Sequence, residues 1–308
     1  MTTAPRLGLV GCGRWGRNIL RDLLQLGCQV TVADASEPAR AEALASGARA
    51  VVGAAHALPE VDGVVVAVPA TRHGEVIDAV LERGVPVYCE KPLTPSRAEA
   101  HRLLARAAGR VFEMHKWRYH GGVLALAELA RSGELGPVVG LKTTRVGWVA
   151  SRQDVDCTAW LAPHDLSIAL EVLGEVPEPR AAVAEREGDR VTGLFALLGE
   201  RPWVNLELSD RRRRTFREVR LVCEGGTAIL GGEAEELLVL SASRETTPPA
   251  PLRRPFDPEP PLLRELRAFV AHVRGGPPPH SSLADAVRIV DTLTRIRELA
   301  GLPGDARL

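Results

Sequence analysis

The glycines between residues 11 and 16 constrain the fold of this chain more than any other feature. The segment RLGLVGCGRWGRNIL, residues 6–20, has an apolar run, then the spacing G-x-G-x-x-G at Gly11, Gly13 and Gly16, then apolar residues at helical intervals. Glycines with this spacing let the backbone turn tightly after a strand and approach a pyrophosphate at a helix N-terminus. A second apolar run ends at Asp34. The order of strand, glycine turn, helix and strand predicts a dinucleotide-binding unit.

Asp34 predicts which dinucleotide is bound. An acid at the end of the second strand, about 20 residues after the glycines, accepts hydrogen bonds from a ribose 2′-hydroxyl. The same carboxylate repels a 2′-phosphate, so the sequence favours NAD as the cofactor over NADP. The alternative interpretation is a tight turn followed by a solvated aspartate.

Strand and helix patterns continue to alternate after Asp34. The segments are a strand at 63–68, a helix at 73–83, a strand at 85–88, a helix at 96–108 and a strand at 111–114. This alternation predicts an α/β fold with a doubly wound parallel sheet, whose ligand crevice lies outside the carboxyl ends of the strands. The glycine loop, Asp34, Pro69, Lys91 and His115 each follow a different strand, so we expect them on one rim, with Lys91 towards the nicotinamide end of the cofactor.

Lysine is rare in this chain, which makes Lys91 conspicuous. Of 39 basic residues only Lys91, Lys116 and Lys142 are lysines. Arginine stays charged at any working pH, whereas lysine can give up and regain a proton. A lysine between Glu90 and Pro92 is therefore a candidate for proton chemistry, and Glu90 is expected to hold it in place.

Five segments together resemble one oxidoreductase family over nearly the whole chain. They are GCGRWGRN, VPATRHGEVIDAVLERG, YCEKPLT, ELARSGELGPVVG and LAPHDLSIALEVLG. They closely resemble the glucose-fructose oxidoreductase, inositol dehydrogenase and MocA family, written Gfo/Idh/MocA, and the Glu-Lys-Pro triplet is the most specific piece. The resemblance implies hydride transfer between a nicotinamide and a secondary alcohol or ketone carbon of a sugar, nucleotide sugar or cyclitol.

The same resemblance implies two domains. Residues 1–119 would form a Rossmann domain that binds NAD. Residues 120–308 would form an α+β domain on a large, mostly antiparallel open sheet, which carries the substrate site and the interface of a homodimer or homotetramer. In the second part, strand-like segments surround a helix near His164, the proline-rich stretch 246–261 is expected to be a loop, and helices are expected at 262–274 and 283–299.

Catalytic roles follow from the resemblance residue by residue. The family's lysine corresponds to Lys91, which would stabilise charge on the reacting oxygen. The family's histidine corresponds to His164, the expected general acid or base, with Tyr119 as its substitute. Trp160 would line the substrate pocket together with Lys91, Tyr119 and His164.

Trp160 is also where the sequence departs from the family. The family carries an aspartate four residues before its histidine, and this chain has Trp160 before His164. A carboxylate could instead come from Asp154, Asp156 or Asp165.

Pro163 precedes His164, and an apolar stripe follows, which predicts that a helix begins at His164. A helix N-terminus disfavours the imidazolium, so His164 would stay neutral and accept a proton. The alternative is a capping or packing histidine.

The predicted cofactor-binding residues come from the strand ends and from the resemblance. They are Gly11, Gly13, Arg14, Trp15, Gly16, Asp34, Pro69, His73, Glu90 and Arg118. His73 matches a family position near the cofactor but equally suits the start of a helix. Arg118 and Tyr119 match a family Arg–aromatic pair, while Trp117 has packing as its simpler interpretation.

The run Arg211 to Arg214 lies in strand-like sequence. Such a cluster could grip the diphosphate of a nucleotide sugar. A solvated charged face is the favoured interpretation.

Composition limits the remaining classes. With 308 residues and a formal net charge of +0, the chain lacks the basic footprint of a nucleic-acid or anionic-membrane partner. No signal pattern or membrane-length apolar run is present, and five widely spaced cysteines fit reduced thiols rather than disulfides or a metal site. We therefore expect a cytoplasmic protein. Two other functions remain open: a non-enzymatic NAD-binding sensor or regulatory protein, and a reductase of imines or other small metabolites.

Overall fold

The computed structural model describes residues 4–107, 109–148, 155–232, 236–242 and 250–306. The chain divides into two compact units: the first contains Met1–Lys116 and Pro260–Val290, and the second contains Trp117–Glu259 and Asp291–Leu308. The sequence predicted a single division after residue 119. The structure differs because the segment from Pro260 to Val290 belongs to the first unit.

The first unit is built on a six-stranded sheet. Its strands are β1 (Arg6–Val10), β2 (Gln29–Ala33), β3 (Ala50–Val52), β4 (Gly63–Val66), β5 (Val87–Glu90) and β6 (Val111–Met114). They pair in parallel in the order β3-β2-β1-β4-β5-β6. The strand order reverses between β1 and β4, which is where doubly wound sheets bind ligands.

Helices cover both faces of this sheet. They are α1 (Arg14–Gln25), α2 (Glu37–Ala45), α3 (His73–Leu81) and α4 (Arg97–Ala107), together with α7 (Pro261–Val273) and the first part of α8 (Leu283–Leu299). One apolar core contains residues of α1, α2 and α7, and the other contains residues of α3, α4 and α8. Because both faces are covered, the central strands β1 and β4 are apolar except for the exposed Arg6 at the start of β1.

The second unit is built on an eight-stranded sheet. Its strands are β7 (Val138–Trp148), β8 (Pro179–Glu187), β9 (Arg190–Leu198), β10 (Trp203–Ser209), β11 (Arg211–Cys223), β12 (Gly226–Gly231), β13 (Glu236–Ser241) and β14 (Leu252–Pro255). Their order is β14-β13-β12-β11-β7-β10-β9-β8, and β7 with β10 is the parallel pair in an otherwise antiparallel sheet. Together with the parallel sheet of the first unit, this confirms the predicted fold class.

The strand β14 corrects part of the loop predicted at 246–261. Leu252–Pro255 pairs with β13 at the edge of the sheet, and residues 246–249 lie outside the described residues. An edge strand exposes one side of its backbone, so it tolerates Pro255 where a central strand would not.

Helices α5 (Gly121–Ser132) and α6 (Cys157–Leu173) pack on the second sheet. The prediction that a helix begins at His164 is wrong, because α6 begins two turns earlier and contains Pro163 in its interior. Asp156 caps it: its carboxylate accepts hydrogen bonds from the backbone N–H of Thr158 at 3.0 Å and of Ala159 at 3.3 Å. Burial of the helix in the second unit outweighs the backbone bond that Pro163 removes.

Among the described residues no helix is both long enough and apolar enough to cross a bilayer.

Candidate functional site

A cavity of about 390 Å³ opens at the carboxyl edge of the parallel sheet. Of the residues predicted to bind the cofactor, Gly11, Gly13, Asp34 and Pro69 line it, and His56 and Arg72 lie on its walls as well. The other predicted cofactor residues are not among those that line it. The cavity therefore joins the ends of β1, β2 and β4 around the point where the strand order reverses.

The three glycines have distinct steric reasons to be glycine. Gly11 has φ +91°, and a Cβ atom there would lie 2.6 Å from the carbonyl oxygen of Ala67. A Cβ atom at Gly16 would overlap the carbonyl oxygen of Gly11, whereas one at Gly13 would meet nothing within 4 Å among the described residues. Gly11 and Gly16 thus close the turn, and Gly13 leaves space in front of it.

The N-terminus of α1 faces that space without a side-chain cap from the described residues. Uncapped backbone N–H groups and the positive end of the helix dipole form a site for a phosphate group. The open approach at Gly13 and the cavity beside it fit a dinucleotide in this position.

Asp34 is held rigidly at the end of β2. One carboxylate oxygen accepts a hydrogen bond from the Cys12 backbone N–H at 2.7 Å, and the other accepts one from the Ser36 backbone N–H at 2.8 Å. The Arg40 guanidinium donates to the backbone carbonyls of Asp34 and Ala35 at 2.7 and 2.9 Å. The carboxylate is therefore fixed towards the cavity, with lone pairs left for a ribose hydroxyl.

Glu90 connects the glycine loop to Lys91. Its buried carboxylate accepts one hydrogen bond from the indole Nε1–H of Trp15 and another from the Lys91 backbone N–H at 3.0 Å. Burial raises the pKa of Glu90, while the charges of Lys91, Lys116 and His73 and the Trp15 hydrogen bond oppose that rise. Lys91 follows β5, is half-buried and joins Pro92 through a cis peptide bond.

His73 lies beneath these loops rather than in the cavity. It is buried, and its ring nitrogens lie 2.8 Å from the Pro92 carbonyl oxygen and 2.9 Å from the Val68 carbonyl oxygen. The histidine therefore ties the loop after β4 to the loop that carries Lys91.

In the second unit, α6 presents one accessible face. From Cys157 to Val172 every residue is buried except Trp160, His164 and Glu171. Residues spaced by four and seven positions lie along one side of a helix. The predicted substrate residues Trp160 and His164 are therefore adjacent, and Glu171 extends their row.

Aromatic and cationic groups surround His164. The ring of Trp117 meets the imidazole edge-on, with centroids 6.5 Å apart, and stacks on His120 at 5.0 Å. The Arg145 guanidinium lies 4.6 Å from the Trp117 ring centroid, within the range of a cation–π interaction. Trp117 thus belongs to the surroundings of His164.

Two of the three carboxylates that could replace the missing aspartate already have other partners. Asp165 is 1% exposed and accepts two hydrogen bonds from the Arg145 guanidinium, at 2.7 and 3.3 Å. Asp156 caps α6 and pairs with Arg297 at 2.6 Å. Asp154 lies outside the described residues.

Glu171 is the carboxylate that sequence reasoning missed. The Arg118 Nε atom donates to it at 2.9 Å, so Arg118, predicted at the cofactor, is engaged with α6. The spacing of seven residues from His164 along one helix is the sequence signal that could have revealed Glu171. Tyr119, next to Arg118, is 3% exposed.

The arginine run forms ion pairs within its own unit. Arg211 pairs with Glu187 at 3.1 Å, and Arg212 pairs with Glu185. Arg213 and Arg214 are exposed. This arrangement supports the interpretation of the run as a charged, solvated face.

The chain is similar to known proteins in sequence and in structure. The profile of an oxidoreductase family with an NAD-binding Rossmann fold matches residues 5–113. Inositol 2-dehydrogenase from Streptomyces avermitilis is 30% identical over 261 residues, which cover 77% of this chain and 75% of the relative. A dTDP-3,4-didehydro-2,6-dideoxy-alpha-D-glucose 3-reductase from Saccharopolyspora spinosa is 33% identical over 145 residues, 44% of this chain and 44% of the relative.

Solved structures share the fold of the whole chain. UDP-N-acetylglucosamine 3-dehydrogenase GnnA from Acidithiobacillus ferrooxidans superposes with a TM-score of 0.82 at 23% identity, covering 97% of this chain and 98% of the other. A levoglucosan dehydrogenase in complex with NADH and levoglucosan gives 0.83 at 16% identity, covering 97% and 98%. The family profile and the extent of the match to the inositol dehydrogenase show that the chain belongs to the Gfo/Idh/MocA family of oxidoreductases.

Proposed function

We propose that this chain is an NAD-dependent dehydrogenase that acts on a carbon bearing a secondary hydroxyl or ketone in a sugar, nucleotide sugar or cyclitol. The observation that carries the proposal is the placement of Lys91 directly after β5, anchored by Glu90, at the carboxyl edge that also bears the glycine loop. When bound, the nicotinamide accepts or returns the hydride. The protein must then orient the carbon and manage one proton.

Lys91 is proposed to donate a hydrogen bond to the reacting oxygen. Its ammonium group stabilises the negative charge that develops on that oxygen in the transition state. The hydrogen bond from the Lys91 backbone N–H to Glu90 fixes the start of the side chain, so less conformational freedom is lost when the substrate binds.

His164 is proposed to take the hydroxyl proton in the oxidation direction and return it in the reduction direction. Histidine is the side chain most often used for this kind of proton transfer, and His164 lies on the accessible face of α6. Tyr119, the substitute considered from the sequence, is almost completely buried, which favours His164.

The substrate class is inferred from the relatives and from Trp160. The relatives named above are dehydrogenases or reductases of cyclitols and sugars. Trp160 offers an aromatic face beside His164 where the family has a carboxylate. An indole face packs well against the C–H side of a polyhydroxylated ring. Unlike the family's aspartate, it places no negative charge next to His164.

A turnover screen tests this function. NAD reduction should be detectable with at least one substrate among cyclitols, free aldoses and nucleotide-linked sugars, and the product should be the ketone. Imines and other small metabolites that could be reduced, assayed with NADH, form the second arm. Turnover confined to the second arm would replace the proposed substrate class.

Cofactor choice gives the next prediction. NADH should bind more tightly than NADPH, and Asp34→Ala should reduce that difference, because the carboxylate both accepts ribose hydrogen bonds and repels a phosphate. Nicotinamide fluorescence titration measures both affinities. Asp189→Ala, in an exposed turn of the second unit, is the matched control. Equal or tighter NADPH binding by the unaltered protein would contradict the assignment of NAD.

Trp160 gives a prediction about pH dependence. Trp160→Asp should change the pH profile of turnover more than the affinity for NADH, because a carboxylate one helical turn before His164 would favour the imidazolium. Trp160→Phe, which keeps an aromatic face, is the control and should keep the original profile. If the aspartate variant folds and its profile is unaltered, Trp160 is a packing residue.

A homodimer or homotetramer is proposed to form through the second sheet. Val183 and Phe195 are paired across β8 and β9, and Leu197 lies two residues further along the same face; all three are exposed. A contiguous exposed apolar patch is typical of an interaction surface. Sedimentation velocity would detect the assembly.

A cytoplasmic location is proposed from the five buried, unpaired cysteines.

A further inference from the structure

A cluster of buried polar groups lies on the face of the first sheet that α7 covers. Tyr88 and Glu90 are two residues apart in β5, so their side chains point to the same face. The ring of Phe269 stacks on Tyr88 with centroids 4.9 Å apart, and Glu265 lies one helical turn before Phe269. The Tyr88 hydroxyl donates to a Glu265 carboxyl oxygen at 3.5 Å. Helix α7 therefore brings a second carboxyl group towards Glu90.

Glu265 lacks the surroundings of an ionised carboxylate. It is 1% exposed, and one of its oxygens has no hydrogen-bond partner among the described residues. Burial raises the pKa of Glu265 well above its usual range, and the negative charges of Glu90 and Glu113 raise it further. The charge of Lys116 and the Tyr88 hydrogen bond act in the opposite direction. A buried carboxylate so poorly compensated is more stable as the neutral acid.

The surroundings of Glu90 stabilise a negative charge better than those of Glu265 do. Both of its oxygens accept N–H hydrogen bonds, from Trp15 and from the Lys91 backbone. The positive charges of Lys91 and Lys116 both lower the pKa of Glu90. The Lys116 ammonium lies 4.7 Å from the centroid of the Trp15 ring. If Glu265 also ionised, it would repel Glu90 and compete for Lys116.

We propose that Glu265 is a positioning residue of the reaction: as a neutral acid it supports Tyr88 on the same face of β5 as Glu90 without adding a second negative charge beside Glu90, and Glu90 then holds Lys91 and Trp15 in place. The positioning role rests on the proposed function. The protonation state of Glu265 does not rest on the proposed function, and it can be tested without any substrate.

The first experiment measures thermal unfolding midpoints between pH 5 and pH 9. The folded pKa of Glu265 is raised above the unfolded value, so the native state holds a proton that the unfolded chain releases. Stability from this proton is present at low pH and is lost as the pH rises towards the folded pKa. Glu265→Gln keeps the shape and neutrality, so its midpoint should rise relative to wild type as the pH increases. Glu82→Gln, an exposed carboxyl group on the same unit, should show no such trend. A constant difference between Glu265→Gln and wild type would overturn the proposal.

The second experiment follows the hydrogen bond that the Trp15 indole N–H donates to Glu90. The indole N–H resonance of Trp15, assigned by its loss in Trp15→Phe, should keep its hydrogen-bonded chemical shift in Glu265→Gln. In Glu265→Ala, which also deprives the Tyr88 hydroxyl of its acceptor, that resonance should move. An unmoved resonance in a folded Glu265→Ala protein would show that the residue only fills space.

The third experiment uses a substrate found in the turnover screen. Glu265→Ala should lower kcat by about 10-fold or more with KM and the NADH dissociation constant within a few-fold, because a misplaced catalytic group affects the chemical step most. Glu265→Gln should restore most of kcat. It should also lack the decline of turnover that ionisation of Glu265 is expected to cause in wild type as the pH rises. Full kcat in Glu265→Ala, or no rescue by glutamine, would contradict the positioning role, whereas no turnover by wild type would contradict the proposed function alone.

Discussion

Lys91→Met is expected to lower turnover by roughly 100-fold or more, the loss typical of removing one donor to a developing oxyanion. The expected effect lies in kcat, because the charge that Lys91 stabilises appears mainly in the transition state. NADH affinity should fall much less, since the proposed phosphate and ribose contacts are made by the glycine loop and Asp34. Steady-state turnover and NADH titration on the same folded protein measure the two effects.

Two further variants make this result specific. Lys91→Arg should fail nearly as badly, because a guanidinium is bulkier and planar and does not place a compact ammonium donor at the reacting oxygen. Lys142→Met, which removes a lysine on β7 in the second unit, should leave turnover unchanged. Near-normal turnover in Lys91→Met would make Lys91 a structural residue and would leave the reacting oxygen without its proposed donor.

His164→Asn is expected to produce the second large loss, also roughly 100-fold or more, which is the usual contribution of a general acid or base. Asparagine keeps a polar group of similar size against Trp117 but cannot carry the proton. The limb of the pH–rate profile that reports the histidine should disappear, and NADH affinity should change little. The exposed His101→Asn on α4 is the control. A His164→Asn protein with the wild-type pH profile would assign the proton to another group.

The cavity of the first unit was the part of the molecule most open to prediction from sequence. The glycine spacing and Asp34 act through the backbone and through strand ends, and both depend on residues close together in sequence. The structure places Gly11, Gly13, Asp34 and Pro69 around one cavity for that reason. Local sequence could not show that His73 bonds to the carbonyls of Val68 and Pro92, although it lies at the start of α3 as expected.

The residues on α6 in the second unit were harder to predict because packing overrides the local signal. Pro163 before an apolar stripe is typical of a helix start, yet the preceding turns are buried, and Asp156 caps them. The neutral state expected of His164 from a helix N-terminus therefore loses its basis. Arg145 pairs with Asp165 across 20 residues of sequence, and Arg297 pairs with Asp156 across 141. No spacing rule reveals such partners.

Helix α7 was predicted as a helix but assigned to the wrong unit. Its apolar periodicity shows that one face is buried and does not show against which sheet. In the structure Leu266, Phe269 and Val270 enter the core of the first unit. Glu265 follows from that placement, so it could not be recognised as a neighbour of Tyr88 from the sequence.

The most direct test of the proposed reaction uses a substrate deuterated at the carbon that bears the secondary hydroxyl. Incubation with NAD should give deuterated NADH and the ketone in equal amounts by mass spectrometry, and Lys91→Met should slow both roughly 100-fold while still binding NADH. Failure of the wild-type protein to transfer deuterium from any cyclitol, aldose or nucleotide sugar, despite intact NADH binding, would contradict the proposed function.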